Sequence, residues 1–177
     1  MRARIEKATG ILVGKSLWRC TRAADLASFD FGERRTVPCR RGGTKEVGEY
    51  ALHVQCAWRI GHGEHVIVGS GDLYYPADFD EEQGEIPPDF DWDHNPNRRD
   101  RLLQSLFEEG LRSFKVEAVK SGAAGILHIK LSEGFYLELF PDDSLREEQW
   151  RLFRPGVDEA HFVVTGGGTA GGNESVP

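Results

Sequence analysis

The 177-residue sequence is poor in cysteine and has no long apolar run, and each shortage excludes a class of protein. Its three cysteines, Cys20, Cys39 and Cys56, are an odd number without the close spacing of a zinc site, which argues against a disulfide framework or a structural metal. No segment approaches the roughly 18 apolar residues of a membrane helix, and the apolar stretch 10–14 is too short for a secretory signal. We expect a cytoplasmic protein with reduced thiols and no membrane contact.

Positive charge is missing from the middle of the chain. Residues 60–97 hold ten acidic side chains and no lysine or arginine, whereas residues 1–59 hold twelve basic and six acidic side chains. This central block accounts for more than the whole net charge of −7. Such a surface repels phosphate backbones, so nucleic acid is not expected as a partner.

Alternation of apolar and polar residues predicts antiparallel strands. From Gly48 to Ile60 every second residue is apolar, and the glycines of 61–64 turn the chain into a second apolar run at 65–75. Residues 126–131 and 135–139 repeat the pattern around a turn at 132–134. The three- and four-residue spacing of apolar side chains in 98–112, with Asn97 as a cap, predicts one helix.

These elements predict one α+β domain over 1–165, made mostly of antiparallel hairpins with one helix packed on the sheet. The glycine-rich segment 166–177 cannot bury apolar surface and is expected to be a disordered tail.

A weak internal similarity suggests two related halves. Ala23-Ala-Asp-Leu, followed by Phe29 and Phe31, aligns with Ala123-Ala-Gly-Ile, followed by Ile129 and Leu131. Each half also contains a tryptophan, an arginine and an aliphatic residue in succession, at 58–60 and 150–152. Such matches also arise by chance in β-rich chains, so a two-half pseudo-repeat and coincidence both stay open.

Three groups resemble chemical sites without meeting their requirements. The acidic run that begins at Asp89 has oxygen ligands at calcium-loop spacing, but His94 replaces the turn glycine and Asp100 the longer closing glutamate. Strand parity puts His53 and Cys56 on opposite faces. Flanking arginines favour a reactive thiolate at Cys39, yet no resolving cysteine accompanies it. We predict no catalytic residues, no metal and no cofactor; calcium at 89–93 and the reactivity of Cys39 stay open.

The loop 76–97 interleaves aromatic residues with carboxylates between prolines. Exposed aromatic side chains surrounded by one sign of charge supply both contact area and electrostatic steering, which binding surfaces need. The alternative is that these aromatics fix the loop to the sheet. The predicted partner-binding residues are Asp78, Phe79, Asp80, Glu81, Glu82, Asp89, Phe90, Asp91, Trp92 and Asp93.

Three segments, Gly48 to Ile60, Glu148-Gln-Trp-Arg-Leu-Phe153 and His161-Phe-Val-Val164, resemble uncharacterised hypothetical proteins of high-GC bacteria, some of which are similar to immunity proteins of toxin systems. The resemblance supplies no catalytic residues and implies a small binding protein. Immunity proteins as a group often oppose acidic surfaces to basic toxins, which by analogy would suit 78–93.

The sequence is therefore compatible with three functions. The first is a non-enzymatic, immunity-like module whose acidic aromatic loop engages a basic protein. The second is a small-ligand or metal-dependent enzyme using His53, Asp72 and the Asp89–Asp93 cluster. The third, a homo-oligomeric structural protein, rests on edge strands alone, and the oligomeric state is left open.

Overall fold

The computed structural model describes residues 1–39, 42–82 and 84–171. Within these ranges eleven antiparallel strands form one sheet: β1 (Ser16–Ala23), β2 (Leu26–Pro38), β3 (Thr44–Val54), β4 (Ala57–His62), β5 (His65–Gly69), β6 (Phe114–Ser121), β7 (Leu127–Leu131), β8 (Phe135–Phe140), β9 (Glu148–Phe153), β10 (Phe162–Thr165) and β11 (Gly168–Ala170). The same ranges contain two short α-helices, α1 (Arg2–Thr9) and α2 (Arg98–Leu106).

The predicted α+β class is wrong, because strands make up 46% of the chain and helix only about 20%. The predicted helix 98–112 stops at Leu106, since Glu108 and Gly110 take positive φ angles of 46° and 92° that no right-handed helix accommodates. Leu111 is consequently 89% exposed instead of lying on an apolar helix face. The molecule is essentially a β-sheet fold.

Strand order explains how one sheet encloses a core. The order is β11-β10-β9-β3-β2-β1-β6-β7-β8-β4-β5, yet only two residues join β3 to β4, which lie far apart in it. The sheet must therefore roll until these strands meet. Phe29 of β2 and Trp58 of β4 accordingly touch edge to face, with ring centroids 5.0 Å apart.

The predicted strand 48–60 is in fact two strands. Its alternating side chains Leu52, Val54, Cys56, Trp58 and Ile60 are all buried. At 55–56 the chain crosses from β3, the fourth strand in the order of the sheet, to β4, the tenth. The backbone N–H groups of both residues donate to the Gln149 carbonyl. The alternation of apolar and polar residues predicts which side of a strand faces the core, but it does not predict which strand pairs with it.

The two halves of the chain have matching registers. Phe29 lies opposite Cys20 and Leu52, as Ile129 lies opposite Val119 and Leu137. Cys20 and Val119 therefore occupy equivalent places in the two halves. Ser16 and Lys115 differ in residue number by the same amount, and they pair with each other where β1 meets β6. A pseudo-two-fold axis therefore passes between β1 and β6.

The hairpins that follow each three-strand meander are exchanged between the halves. β4, from the first half, pairs with β8, and β9, from the second half, pairs with β3. Trp58 lies opposite Leu139 and Trp150 opposite Val54, so the two tryptophan triplets of the sequence occupy matching positions. Each half thus contributes a strand pair to the other.

The glycine-rich segment begins with structure. Gly168–Ala170 forms β11, which pairs with Val163, Val164 and Thr165 of β10. Residues 172–177, where the rest of the predicted disordered tail falls, lie outside the described residues.

Candidate protein-interaction surface

The segment 76–97 leaves the sheet after β5 and returns at α2, and its two ends are bonded together. Pro76 and Asn97 form an antiparallel bridge, and the Ala77 N–H donates to the Pro96 carbonyl at 3.0 Å. The Arg98 N–H donates to the Tyr75 carbonyl at 2.8 Å. The loop is therefore closed at its base, like the compact loops that often carry function.

Two arginines tie acidic side chains near the loop to the body. Arg22 of β1 bonds Asp93 and Asp100, each at 2.8 Å, and these carboxylates raise the pKa of Arg22 above its ordinary value, Asp100 first. Arg98 donates to Asp72 at 3.3 Å, while the Gly69 N–H donates to the other oxygen of Asp72 at 2.8 Å. These carboxylates hold the loop in place.

Side-chain oxygens in the predicted calcium segment accept hydrogen bonds within the loop. The Asp91 carboxylate accepts from the Asp93 N–H at 3.0 Å and from His94 Nδ1 at 2.8 Å, and the pKa of Asp91 is lowered, mainly by the first of these bonds. The side chain of Asn95 accepts from the Asp91 N–H at 2.9 Å. In the described parts of the chain no three histidine, cysteine or acidic side chains are arranged to hold a metal.

The loop aromatics are half-buried, and two tyrosines that the sequence reasoning missed cover them. Trp92 meets Tyr74 edge to face at 5.7 Å, and Phe79 meets Tyr75 at 4.8 Å. Tyr74 and Tyr75 themselves are 49% and 38% exposed. The run 65–75 predicted a strand, but the chain leaves β5 at Gly69 and makes a 3₁₀ turn over Ser70–Tyr74, which brings both tyrosines to the loop. The glycines at 69 and 71 were the available signal.

A cleft of about 550 Å³ opens between the two limbs of the loop. Three prolines and the half-buried ring of Phe90 form its apolar wall. Asp78 and Asp89, both exposed, place carboxylates on its lining. An apolar wall beside two carboxylates matches a lysine or arginine side chain, whose methylene stem is apolar and whose head is cationic.

Many carboxylates of the loop have no cationic partner among the residues that the structure describes. Asp93 and Asp91 are engaged by Arg22 and His94. Exposed carboxylates without such an ion pair are a source of long-range attraction for a basic molecule. They are Asp78, Asp80, Glu81, Glu82, Glu85 and Asp89.

The residues of the alternative enzyme site are not assembled. His53 lies on β3, where Arg151 Nη2 is 3.0 Å from its Nδ1 and Phe153 packs on its ring. Burial, and then the nearby cations, lower the pKa of His53 to about 4. Asp72 instead bonds Gly69 and Arg98 at the base of the loop.

Burial disfavours the thiolate at two of the three cysteines. Burial raises the pKa of Cys56 to about 12 and raises the pKa of Cys20 further still. The Cys39 N–H donates to the Gly43 carbonyl and its own carbonyl accepts from Gly42, which closes a turn. Arg40 and Arg41, the arginines expected to act on Cys39, lie outside the described residues.

Comparisons with known proteins add no relative. No family model, curated protein or solved structure matches the chain. Of the helices in the described ranges, none has the length and apolarity to cross a membrane. The function has to be inferred from this chain's own geometry.

Proposed function

We propose that this protein is a non-enzymatic binding module whose loop 76–97 engages a protein partner with a basic surface. The observation that carries the proposal is the cleft between the loop limbs, with its apolar wall and the carboxylates of Asp78 and Asp89. A partner lysine or arginine entering this cleft would bury its stem on the prolines and Phe90 and place its charge between the carboxylates. The shape and the charge of the cleft therefore favour a basic side chain of the partner over an apolar one.

Charge around the cleft supports the same partner. Asp78 and Asp89 line it, four more acidic side chains without an ion pair among the described residues lie in the same loop, and the net charge of the chain is −7. Complementary charge mainly raises the rate of encounter and rejects wrong partners, whereas affinity comes from buried anchors. The exposed rings of Tyr74 and Tyr75 supply such contact area beside the carboxylates.

The anchoring of the loop lowers the cost of binding. Its base is bonded through Pro76 and Asn97, and its return limb is held by Arg22 through Asp93. A loop that is already ordered loses less conformational entropy when a partner arrives. The half-buried Trp92 and Phe79 fix the loop, while the partner contacts the carboxylates and tyrosines outside them.

An immunity-like role in the cytoplasm, against a basic toxin, belongs to this proposal as its most specific form. It rests on the sequence resemblance and on the acidic surface alone.

The test uses the tagged full chain purified gently from its own cells, with mass spectrometry of what accompanies it. The variant Asp78→Asn/Asp89→Asn removes two charges from the cleft and leaves the anchoring carboxylates untouched. The matched control, Asp158→Asn/Glu159→Gln, removes two exposed charges elsewhere. Thermal unfolding of each variant verifies that the fold is retained.

We expect a stoichiometric basic protein with the natural chain and with the control, and its loss from the cleft variant. Titration of that purified protein then gives the affinity of each form. Equal retention by all three forms, or no partner at all, contradicts the proposal.

A further inference from the structure

One wall of the cleft in the acidic loop is the base of the loop itself. Residues 76–78 of the outgoing limb line it together with 95–96 of the returning limb. The Ala77 N–H donates to the Pro96 carbonyl at 3.0 Å, so the two limbs form one continuous wall. Asp78 supplies the carboxylate of this wall.

The other wall is a turn within the loop. The Phe90 N–H donates to the Pro87 carbonyl at 3.0 Å, and the half-buried ring of Phe90 belongs to the lining. Asp89, next to Phe90, supplies the carboxylate of this wall. The cleft thus has one carboxylate on each side, and hydrogen bonds of the loop's own backbone hold both sides in place.

Both carboxylates are available to a ligand. Asp78 and Asp89 are exposed, and within the described residues neither accepts a hydrogen bond or forms an ion pair. A carboxylate gains most from a cation that it contacts directly through a charge-assisted hydrogen bond. A ligand with a positive group for each wall therefore satisfies the cleft better than a ligand with a single positive group.

Asn95 adds a hydrogen-bond donor to the first wall. Its side-chain oxygen accepts from the Asp91 N–H at 2.9 Å, which fixes the orientation of the amide. The NH₂ group of the same amide makes no hydrogen bond within the described residues. An ammonium or guanidinium group has no acceptor for this donor, whereas the carbonyl of a peptide bond has one. Asn95 therefore favours a peptide over a small free cation.

The cleft is larger than one side chain. Its volume of about 550 Å³ lies within the range of about 300–1,000 Å³ in which proteins enclose drug-sized ligands. Two basic residues and the peptide bond between them make a ligand of that size. The volume therefore suits a short segment of a partner chain.

The geometry of an extended chain decides which two residues reach the two walls. Successive side chains of such a chain point in opposite directions. Two adjacent basic residues consequently direct one charge to Asp78 and the other to Asp89. Two basic residues separated by one residue point to the same side, which leaves the carboxylate of the other wall without a partner.

We propose that the cleft recognises an extended segment of the partner that carries two adjacent basic residues, one for each wall. This inference rests on the proposed function, because it takes the cleft as the site of the basic partner. It adds that recognition depends on the spacing of the basic residues as well as on their charge. The partner therefore presents a linear motif to the loop.

The test compares two hexapeptides, Gly-Ser-Arg-Arg-Ser-Gly and Gly-Arg-Ser-Arg-Ser-Gly, each acetylated and amidated at its ends. They have the same composition and charge and differ only in the spacing of the arginines. Backbone amide NMR signals of the full chain follow the titration of each peptide to about 1 mM. The same titrations use the variants Asp78→Asn and Asp89→Asn and the control Asp158→Asn/Glu159→Gln, and thermal unfolding verifies that each variant is folded.

We expect the peptide with adjacent arginines to bind at least about tenfold more tightly than the peptide with spaced arginines. Asp78→Asn and Asp89→Asn should each weaken its binding by about tenfold and make the two peptides alike, whereas the control should change neither affinity. The amide signals of Ala77 and Phe90, one on each wall, should both shift.

Equal affinities of the two peptides for the natural chain overturn the inference, and so does the absence of binding by both. Shifts confined to one wall also overturn it. The proposed function fails on a different observation, namely that the natural chain captures no basic protein or that Asp78→Asn/Asp89→Asn retains it. The two failures are therefore distinguishable.

Discussion

Helices α1 and α2 hold matching positions on a pseudo-symmetric sheet, yet they leave different surfaces. Beside α1 the sheet edge is sealed, with Leu12 fully buried; beside α2 a groove of about 420 Å³ stays open, with Leu111 exposed. Leu111 differs from Leu12 in residue number as Lys115 differs from Ser16, so the two leucines hold equivalent places. Within the described residues the acidic loop likewise has no counterpart, since β5 leads into it while β10 leads into β11. The elements shared by both halves build the core, and the candidate binding surface lies where the halves differ.

The registers show the same contrast on a smaller scale. Arg59 lies opposite Glu138 and bonds it at 2.6 Å, whereas Arg151, in the matching position, lies opposite His53. One half has an ion pair where the other has a cation beside a histidine.

The largest expected effect comes from truncating the matched leucines. Leu12→Ala should lower the free energy of unfolding by about 2–5 kcal/mol, because it removes a fully buried side chain and leaves a cavity. Leu111→Ala should change it by less than about 0.5 kcal/mol. Urea unfolding of both variants measures this, and equal costs would show that the two edges are not different.

Each helix also contains an arginine that donates a hydrogen bond to the turn of a hairpin, and the two arginines differ in burial. Arg2 donates to Gly122 from an exposed position, and Arg99 donates to the Asp25 carbonyl from a buried one. Arg99→Met should raise the free energy of unfolding by about 1 kcal/mol, because it removes a desolvated charge while keeping much of the side-chain volume. Arg2→Met should change it by less than about 0.5 kcal/mol. A clear loss of stability in Arg99→Met would mean that its hydrogen bond outweighs its desolvation.

The lowered pKa of His53 predicts a pH dependence of stability. The unfolded chain takes up a proton near the ordinary histidine pKa of about 6.5, and the folded chain only near 4. The contribution of His53 to the free energy of unfolding is therefore fully present above pH 6.5 and is lost as the pH falls from 6.5 towards 4. His53→Gln should flatten the change in urea midpoint between pH 7 and pH 5, while His65→Gln, at an exposed position, serves as control. An unaltered slope in His53→Gln would contradict the assignment.

The smallest expected effect comes from giving one half the ion pair that the other half has. His53→Glu creates opposite Arg151 the pair that Arg59 and Glu138 form, and should add about 0.5 kcal/mol of stability at pH 7. Sodium chloride at about 1 M should remove the gain, because salt screens surface charges. A destabilised variant would show that the two positions are not equivalent.

Strand faces could be predicted from the sequence, but strand neighbours could not. Alternation identified the buried sides of Leu52 and Trp58, yet nothing local indicates that 55–56 carries the chain across the rolled sheet. The end of α2 was missed because Leu111 fits helical spacing, and only the backbone at Glu108 and Gly110 directs it outward. The acidic loop was evident from charge, whereas its cleft depends on Pro76 and Pro96 meeting across the loop base.

The most direct test of the account is backbone amide hydrogen exchange of the full chain with and without the purified basic partner. The account predicts slowed exchange in 76–97, centred on Ala77, Asp78 and Phe90, with the α1 side of the sheet unchanged. Slowed exchange on that sealed side, with the loop unaffected, would contradict it.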